Sequence, residues 1–180
     1  MVDKIQLLLN KRERKILKDD KKKSSAVLIP LFEKDNKIHL IFTKRNNKVT
    51  FHKGQICFPG GALDSKDCSL KDAALRETKE EIGVDPKDVA ILGSLDDQYT
   101  LTSNFIITPF VGKIPYPYPF RINYKEIDKI LQVPISGLLE KNNNSAYYKY
   151  YYNGEEIWGA TAIILKQFLD IIRGEEKIWI

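Results

Sequence analysis

Residues 76–84 read Arg76-Glu77-Thr78-Lys79-Glu80-Glu81-Ile82-Gly83-Val84, which is the most informative segment of the chain. At helical spacing, Glu80 and Glu81 lie three and four residues beyond Glu77, so the three carboxylates share one helix face. Like charges at this spacing destabilise a helix, and Arg76 can pair with only part of the cluster. A divalent cation would neutralise it, and Mg²⁺ is the usual partner of carboxylates that leave room for substrate phosphates.

The residues around this helix favour a site over an ordinary solvated charged face. Phe58-Pro59-Gly60-Gly61 predicts a chain reversal whose glycines allow positive φ and a close approach of the backbone to a ligand. Ser69 is suited to cap the amino end of the helix, and Gly83 to end it in a left-handed conformation. The sequence therefore predicts a glycine loop that leads into a short carboxylate helix.

This arrangement closely resembles the Nudix box, Gly-x5-Glu-x7-Arg-Glu-U-x-Glu-Glu-x-Gly-U, in which U is a bulky apolar residue. The match is good from Arg76 through Val84, with Thr78 at the first apolar position. The first half departs, because Asp67 stands six residues past Gly61 in place of glutamate and Arg76 follows one residue late. Counted back from Arg76, the glutamate position falls on Cys68.

The departures resemble those of the coenzyme A pyrophosphatase branch of the family. Its signature is similar to Ile41-Phe42-Thr43-Lys44-Arg45 followed by His52-Lys53-Gly54-Gln55-Ile56-Cys57-Phe58-Pro59-Gly60-Gly61, with the spacing from Thr43 to Gly61 preserved. Thr50 stands where the signature has an arginine, which weakens the case for coenzyme A itself and leaves the case for the family intact. The likeness extends over roughly residues 25–165.

The resemblance implies an α/β sandwich with a mixed sheet between helices and hydrolysis of a diphosphate within a nucleotide. It implies cleavage of coenzyme A to 3′,5′-ADP and 4′-phosphopantetheine, with ADP-ribose, dinucleotides or nucleoside triphosphates as the alternative substrates. The expected cofactor is Mg²⁺, with Mn²⁺ as an alternative. The implied metal ligands are Glu77, Glu80 and Glu81, which with Arg76 form the expected catalytic set; the implied substrate-binding residues are Arg45, His52, Gln55, Gly60 and Gly61.

Individual roles within this set remain open. The base that activates water is one of the three glutamates or a carboxylate from a later loop. Arg76 is expected to brace the loop through a salt bridge, and Asp64 and Asp67 are expected to cap the helix or hold the loop. For His52, a structural hydrogen bond and a binding role are equally well supported. Trp158 is expected in the core.

Hydrophobic periodicity predicts the remaining elements. A helix is expected over 5–16, a hairpin of strands over 26–32 and 38–44, and strands over 55–58, 89–95 and 105–112. Residues 127–133 fit a helix or a strand, and 134–139 fit a short helix. Asn153-Gly154 predicts a hairpin between 146–152 and 155–158, with aromatic pairs across it, and 161–172 predicts the last helix.

Composition suits one domain, because 180 residues with 43% hydrophobic and 29% charged content can bury a proper core. Two cysteines and no apolar stretch long enough for a membrane span fit a reduced, cytoplasmic protein. The resemblance implies that its partner is a small-molecule substrate. The cysteines are expected to be small packing residues. A monomer and a homodimer both remain open.

The net charge of +5 lies in residues 11–23, which hold eight basic and three acidic side chains. We therefore expect a basic N-terminal helix and linker over residues 1–23 and a Nudix domain over 24–180. A solvated linker explains the charge better than a nucleic-acid-binding tail, because no aromatic or apolar face accompanies it. A Nudix scaffold that binds nucleic acid without cleaving a nucleotide is the alternative from another functional class.

Overall fold

A computed structural model describes residues 1–48, 53–100, 103–139 and 148–173. The helices in these ranges are α1 (Val2–Asn10), α2 (Leu70–Ile82), α3 (Ile135–Leu139) and α4 (Gly159–Ile172), with a 3₁₀ turn over Pro86–Asp88. The strands are β1 (Lys23–Lys34), β2 (Lys37–Arg45), β3 (Ile56–Cys57), β4 (Gly60–Ala62), β5 (Ala90–Ser94), β6 (Gln98–Tyr99), β7 (Phe105–Lys113), β8 (Ile127–Pro134), β9 (Tyr150–Tyr152) and β10 (Glu155–Ile157).

The main sheet is mixed, as expected. Its central strand β1 runs parallel to β7 and antiparallel to β2 and β4, while β8 pairs antiparallel with β2. Strands β1 and β2 join through Asp35 and Asn36, both at positive φ, which is the geometry of a tight two-residue hairpin turn. Residues 127–133, for which the sequence left two alternatives, form a strand.

Strand β1 is buried on both faces, which explains its nearly continuous apolar run. Ala26 and Leu28 face helix α2 through Ala73 and Ala74. On the opposite face, Ile29 and Leu31 join a larger core with helices α1, α3 and α4. The sheet therefore lies between helices, and the prediction of an α/β sandwich is confirmed.

Helix α1 is shorter than predicted because the chain after it makes tertiary contacts. It ends at Asn10, and the following segment docks on the loop after β5. There Arg14 donates to Asp97 at 2.7 Å and to Thr108 at 3.2 Å, and Arg12 pairs with Asp96. These contacts hold residues 12–17 outside a helix, so two of the basic side chains are paired and not simply solvated. The domain boundary at residue 23 stays a prediction.

Helix α1 itself belongs to the main core. Val2, Ile5 and Leu9 are buried, and Leu9 lies so close to Gly93 that an added Cβ there would come within 2.8 Å of it. Within the described ranges, none of the helices combines the length and apolar character that a membrane span requires.

Two expectations for the C-terminal region are wrong. Trp158 is 45% exposed and lies outside the core, because it precedes the first turn of α4 in an extended conformation and the buried side of that helix begins at Ala162. The hairpin around Asn153-Gly154 forms, but its tyrosines pair with Glu155, Glu156 and Ile157, so the described residues of β9 and β10 form no aromatic cross-strand pair. Residues 146 and 147 of the predicted strand lie outside the described ranges.

Candidate active site

Local sequence signals fix both ends of the carboxylate helix α2. The Ser69 hydroxyl accepts a hydrogen bond from the Asp72 N–H at 3.2 Å, and Gly83 ends the helix at φ +75. Ala73 and Ala74 pack against β1, and Glu77, three and four residues further along, lies on the same side of the helix, next to the glycine loop. Thr78 is tolerated in its buried position because its hydroxyl donates to the Ala74 carbonyl at 2.7 Å.

The glycine loop is a short strand and not a free reversal, since Gly60–Ala62 pairs antiparallel with β1. Close approach of the backbone requires glycine at position 60, and the carboxylate of Glu77 lies where a side chain at Gly61 would be. A Cβ at Gly60 would lie 2.3 Å from the Ala26 carbonyl oxygen, and one at Gly61 would lie 2.4–2.7 Å from the carboxylate of Glu77. The loop therefore lies directly on the helix face that carries the carboxylates.

Arg76 braces this loop, as predicted. Its Nε and Nη2 donate to the two oxygens of Asp67 at 2.9 and 3.0 Å, and Nη2 also donates to the Ala62 carbonyl. The Asp67 carboxylate in turn accepts from the Asp64 N–H at 2.8 Å. The guanidinium holds the pKa of Asp67 below its usual range. Asp67 thus holds loop geometry, while the capping role belongs to Ser69.

The three glutamates of α2 have different environments. Arg76 Nη1 donates to Glu77 at 2.7 Å and to Glu80 at 3.2 Å, and the Glu80 side chain is 55% exposed. Glu81 turns inward, its side chain only 2% exposed, with Oε1 at 3.7 Å from Arg45 Nη1. Burial raises the pKa of Glu81 to about 8, against the opposing effect of Arg45.

The arrangement of these carboxylates fits a metal centre only in part. In the part of the chain that the structure describes, no group of three or more His, Cys, Asp or Glu side chains converges as metal ligands. Two observations nevertheless fit a cation. Arg76 Nη1 is a single cationic atom that already contacts both Glu77 and Glu80, and Glu81 Oε2 is buried without a hydrogen-bond partner among the described residues.

The structure adds a fourth carboxylate that the sequence did not single out. Glu126, just before β8, lies close enough to Glu77 and Glu81 for its charge to raise the pKa of both, after the larger effect of burial. Asn123 positions it by donating to its Oε1 at 3.0 Å, while the Asn123 N–H donates to the Glu81 carbonyl at 2.9 Å. Only the fold brings this glutamate to α2, and no local motif marks it.

The substrate-side candidates lie partly beside this cluster. Arg45 ends β2, where its backbone exchanges hydrogen bonds with the Gln55 carbonyl at 2.9 Å and the Gly54 N–H at 3.1 Å. Gly60 contributes a backbone hydrogen bond to Glu81. His52 and Thr50 lie outside the described residues. The structure thus places Arg45, Gly60 and Gly61 beside the carboxylate helix, and Gln55 beside Arg45.

Comparison with known proteins decides the family. The family model described as NUDIX domain matches residues 22–145, which is more than half of the chain. The chain belongs to the Nudix family. Two relatives, both named uncharacterized Nudix hydrolase NudL, come from Enterobacter sp. (strain 638) and Salmonella paratyphi B. The first is 33% identical over 92% of this chain and 90% of the relative, the second 34% over 81% and 80%. The chain is therefore a Nudix hydrolase, an enzyme that hydrolyses pyrophosphates.

Solved structures support the same fold. A MutT/nudix family protein from Enterococcus faecalis superposes with a TM-score of 0.63 at 13% identity, covering 99% of this chain and 73% of that one. The NUDIX domain of Shewanella oneidensis NrtR, complexed with ADP ribose, gives a TM-score of 0.58 at 15% identity, covering 89% and 90%. At these identities the likeness shows the Nudix fold alone.

Proposed function

We propose that this Nudix hydrolase depends on Mg²⁺ and cleaves the diphosphate of coenzyme A or its derivatives, releasing 3′,5′-ADP and 4′-phosphopantetheine. The observation that carries the proposal is the contact between Arg45 and Glu81. Arg45 belongs to the stretch that resembles the coenzyme A branch signature, and Glu81 belongs to the carboxylate helix. Their contact supports a single site in which the signature residues meet the substrate and the helix meets its diphosphate.

Glu77, Glu80 and Glu81 would hold the cation, with Mn²⁺ as an alternative to Mg²⁺. Support comes from Glu81 Oε2, which has no hydrogen-bond partner among the described residues, and from the shared contact of Glu77 and Glu80 with Arg76 Nη1. Oxygen donors are the ligands that both ions prefer. When bound, such a cation neutralises charge on the phosphoryl oxygens and lowers the pKa of water.

The chain's own groups supply the remaining chemistry. A carboxylate accepts the proton of the water that attacks phosphorus, and Glu126 joins the glutamates of α2 as a candidate because it faces both Glu77 and Glu81. Arg45, His52 and Gln55, with the backbone of Gly60 and Gly61, would bind the substrate. Arg76 holds the loop and the glutamates in position through Asp67.

ADP-ribose is the second candidate substrate. Two observations favour it: Thr50 replaces the arginine of the coenzyme A signature, and the NUDIX domain of NrtR is complexed with ADP ribose. By contrast, the pairing of Arg12 with Asp96 and of Arg14 with Asp97 leaves the basic segment less charge for a nucleic acid. A small-molecule substrate is therefore the proposed partner.

A substrate panel separates these candidates. Purified protein is incubated with Mg²⁺ and equal concentrations of coenzyme A, acetyl coenzyme A, ADP-ribose, a dinucleoside polyphosphate and a nucleoside triphosphate, and the products are identified by mass spectrometry. We expect 3′,5′-ADP from coenzyme A at the highest kcat/KM. Faster turnover of ADP-ribose would reject coenzyme A as the substrate, and Glu77→Gln serves as the control for a contaminating hydrolase.

A further inference from the structure

The ion pair between Arg45 and Glu81 is incomplete. Its nearest nitrogen and oxygen are 3.7 Å apart, whereas charged hydrogen bonds have lengths of about 2.7–2.9 Å. Arg45 Nε and Glu81 Oε2 are both buried, and neither has a hydrogen-bond partner within the described part of the chain. Buried charged atoms without partners are destabilising. Elsewhere the same fold builds a complete pair, since Arg76 meets both oxygens of Asp67.

Each partner has one polar atom that the other does not satisfy. Within the described residues, Glu81 Oε2 is open to a cation and Arg45 Nε is open to an anion. The Arg45 side chain is 25% exposed and therefore reaches the surface, while its backbone is fixed between Gln55 and Gly54. The guanidinium can thus turn away from Glu81 without any change in β2.

The surrounding charge explains why Arg45 faces Glu81. Glu77 and Glu126 both act on Glu81 as neighbouring negative charges, and Arg45 is its cationic partner. An anionic diphosphate that approached this cluster would meet repulsion from the carboxylates and would have to compete with Glu81 for the guanidinium. A cation on the carboxylates removes both obstacles.

We propose that Glu81 holds Arg45 away from the substrate in the cation-free protein, and that a divalent cation on the α2 glutamates releases Arg45 to bind the diphosphate. This inference rests on the proposed function. Because opening one ion pair serves both ligands, the cation and the diphosphate strengthen each other's binding. The cation binds before the substrate, because without the cation Arg45 is still paired with Glu81.

The test measures binding without turnover. The probe is α,β-methylene-ADP, a nucleoside diphosphate that resists hydrolysis, titrated calorimetrically in EDTA. The variants are Glu81→Gln, the double variant that adds Arg45→Gln, and Glu80→Gln as a matched control. Glu80→Gln removes the same charge one residue away, from a side chain whose ion pair is with Arg76.

We expect Glu81→Gln to bind the probe about fivefold or more tightly than the wild type, because Arg45 is freed. Glu80→Gln should stay within about twofold, and the double variant should lose the gain. Equal affinities for Glu81→Gln and Glu80→Gln would overturn the inference, as would a gain that persists without Arg45. Far-ultraviolet circular dichroism checks that each variant is folded.

A second comparison stands even if Glu81→Gln fails to fold. Arg45→Gln alone should leave probe affinity in EDTA nearly unchanged, because the wild-type arginine is already engaged, and should lower it about fivefold or more with Mg²⁺ present. Equal losses under both conditions would overturn the inference. Failure of the proposed function gives a different result, namely that the wild type with Mg²⁺ cleaves no diphosphate in the substrate panel.

Discussion

Gly61 lies directly against Glu77, so closely that a Cβ on the glycine would come within 2.4 Å of the carboxylate carbon. The relationship joins the glycine loop to the carboxylate helix. Gly61, the second glycine of the loop, leaves room for the Glu77 carboxylate because it has no side chain.

Gly61→Ala should therefore impair turnover more than folding. Its backbone has no left-handed φ, and the clash is with the far end of a side chain, so Glu77 is displaced while β4 persists. We expect a fall in kcat of at least about tenfold and a loss of unfolding free energy of only about 1 kcal/mol. Gly60→Ala is the contrasting variant, because its Cβ would strike the backbone of Ala26 and Val27. Equal effects of the two substitutions on urea unfolding would contradict this explanation.

Helix α1 should contribute directly to stability. Ile5 is fully buried in the main core, whereas Leu7 on the same helix is 53% exposed. Ile5→Ala should lower the free energy of unfolding by about 2–5 kcal/mol, and Leu7→Ala by less than about 0.5 kcal/mol. Urea denaturation followed by tryptophan fluorescence measures both. Similar small losses for the two variants would show that α1 does not contribute to the stability of the main core.

Asp67→Asn should destabilise the protein in a pH-dependent way. Arg76 lowers the pKa of Asp67 in the folded state, so the unfolded state binds the proton at higher pH. The pair therefore stabilises the fold above about pH 4, and this contribution is lost as the pH falls through the folded pKa. Relative to the wild type, Asp67→Asn should lose about 1 kcal/mol at neutral pH and progressively less in acid.

Asp20→Asn is the control for this effect, because Asp20 is exposed and no ion pair is recorded for it among the described residues. Chemical denaturation of the three proteins at several pH values provides the comparison. A stability difference for Asp67→Asn that stays constant from neutral pH down to about pH 2 would show that the ionised carboxylate is not the cause.

The two cysteines should differ in reactivity. Burial, with a smaller contribution from Glu81, raises the pKa of the Cys57 thiol to about 11, whereas Cys68 is exposed and so is not the packing residue expected from the sequence. At about pH 8, only about one thousandth of Cys57 is thiolate. Iodoacetamide should label Cys68 first, with Cys57 labelled only in denaturant, as read by peptide mass spectrometry. Comparable labelling rates in the folded protein would contradict the assigned environment of Cys57.

Local sequence signals predicted the elements that position the site. Ser69 and Gly83 mark the ends of α2, and two apolar runs on either side of a polar turn mark the hairpin of β1 and β2. Such elements follow from propensity and patterning within a few residues. The resemblance added the family, which the comparisons confirm, and the mixed sheet between helices.

The sequence did not predict the contacts between distant segments of the chain. The end of α1 depends on the docking of Arg14 against Asp97, more than eighty residues away. Glu126 approaches α2 only because Asn123 joins the loop to the Glu81 carbonyl. The exposure of Trp158 reflects the orientation of the first turn of α4. Each of these depends on packing between distant segments, which periodicity within a window does not encode.

We propose that Glu77, Glu80 and Glu81 bind the divalent cation that diphosphate hydrolysis requires. Anomalous diffraction from crystals soaked in Mn²⁺ tests this site, with crystals of the Glu81→Gln variant treated in the same way for comparison. We predict an anomalous peak bonded to oxygens of these glutamates, with Arg45 turned away from Glu81, and a weakened peak in the variant. A peak elsewhere, with the three carboxylates still held by Arg76 and Arg45, would contradict the proposed cation site.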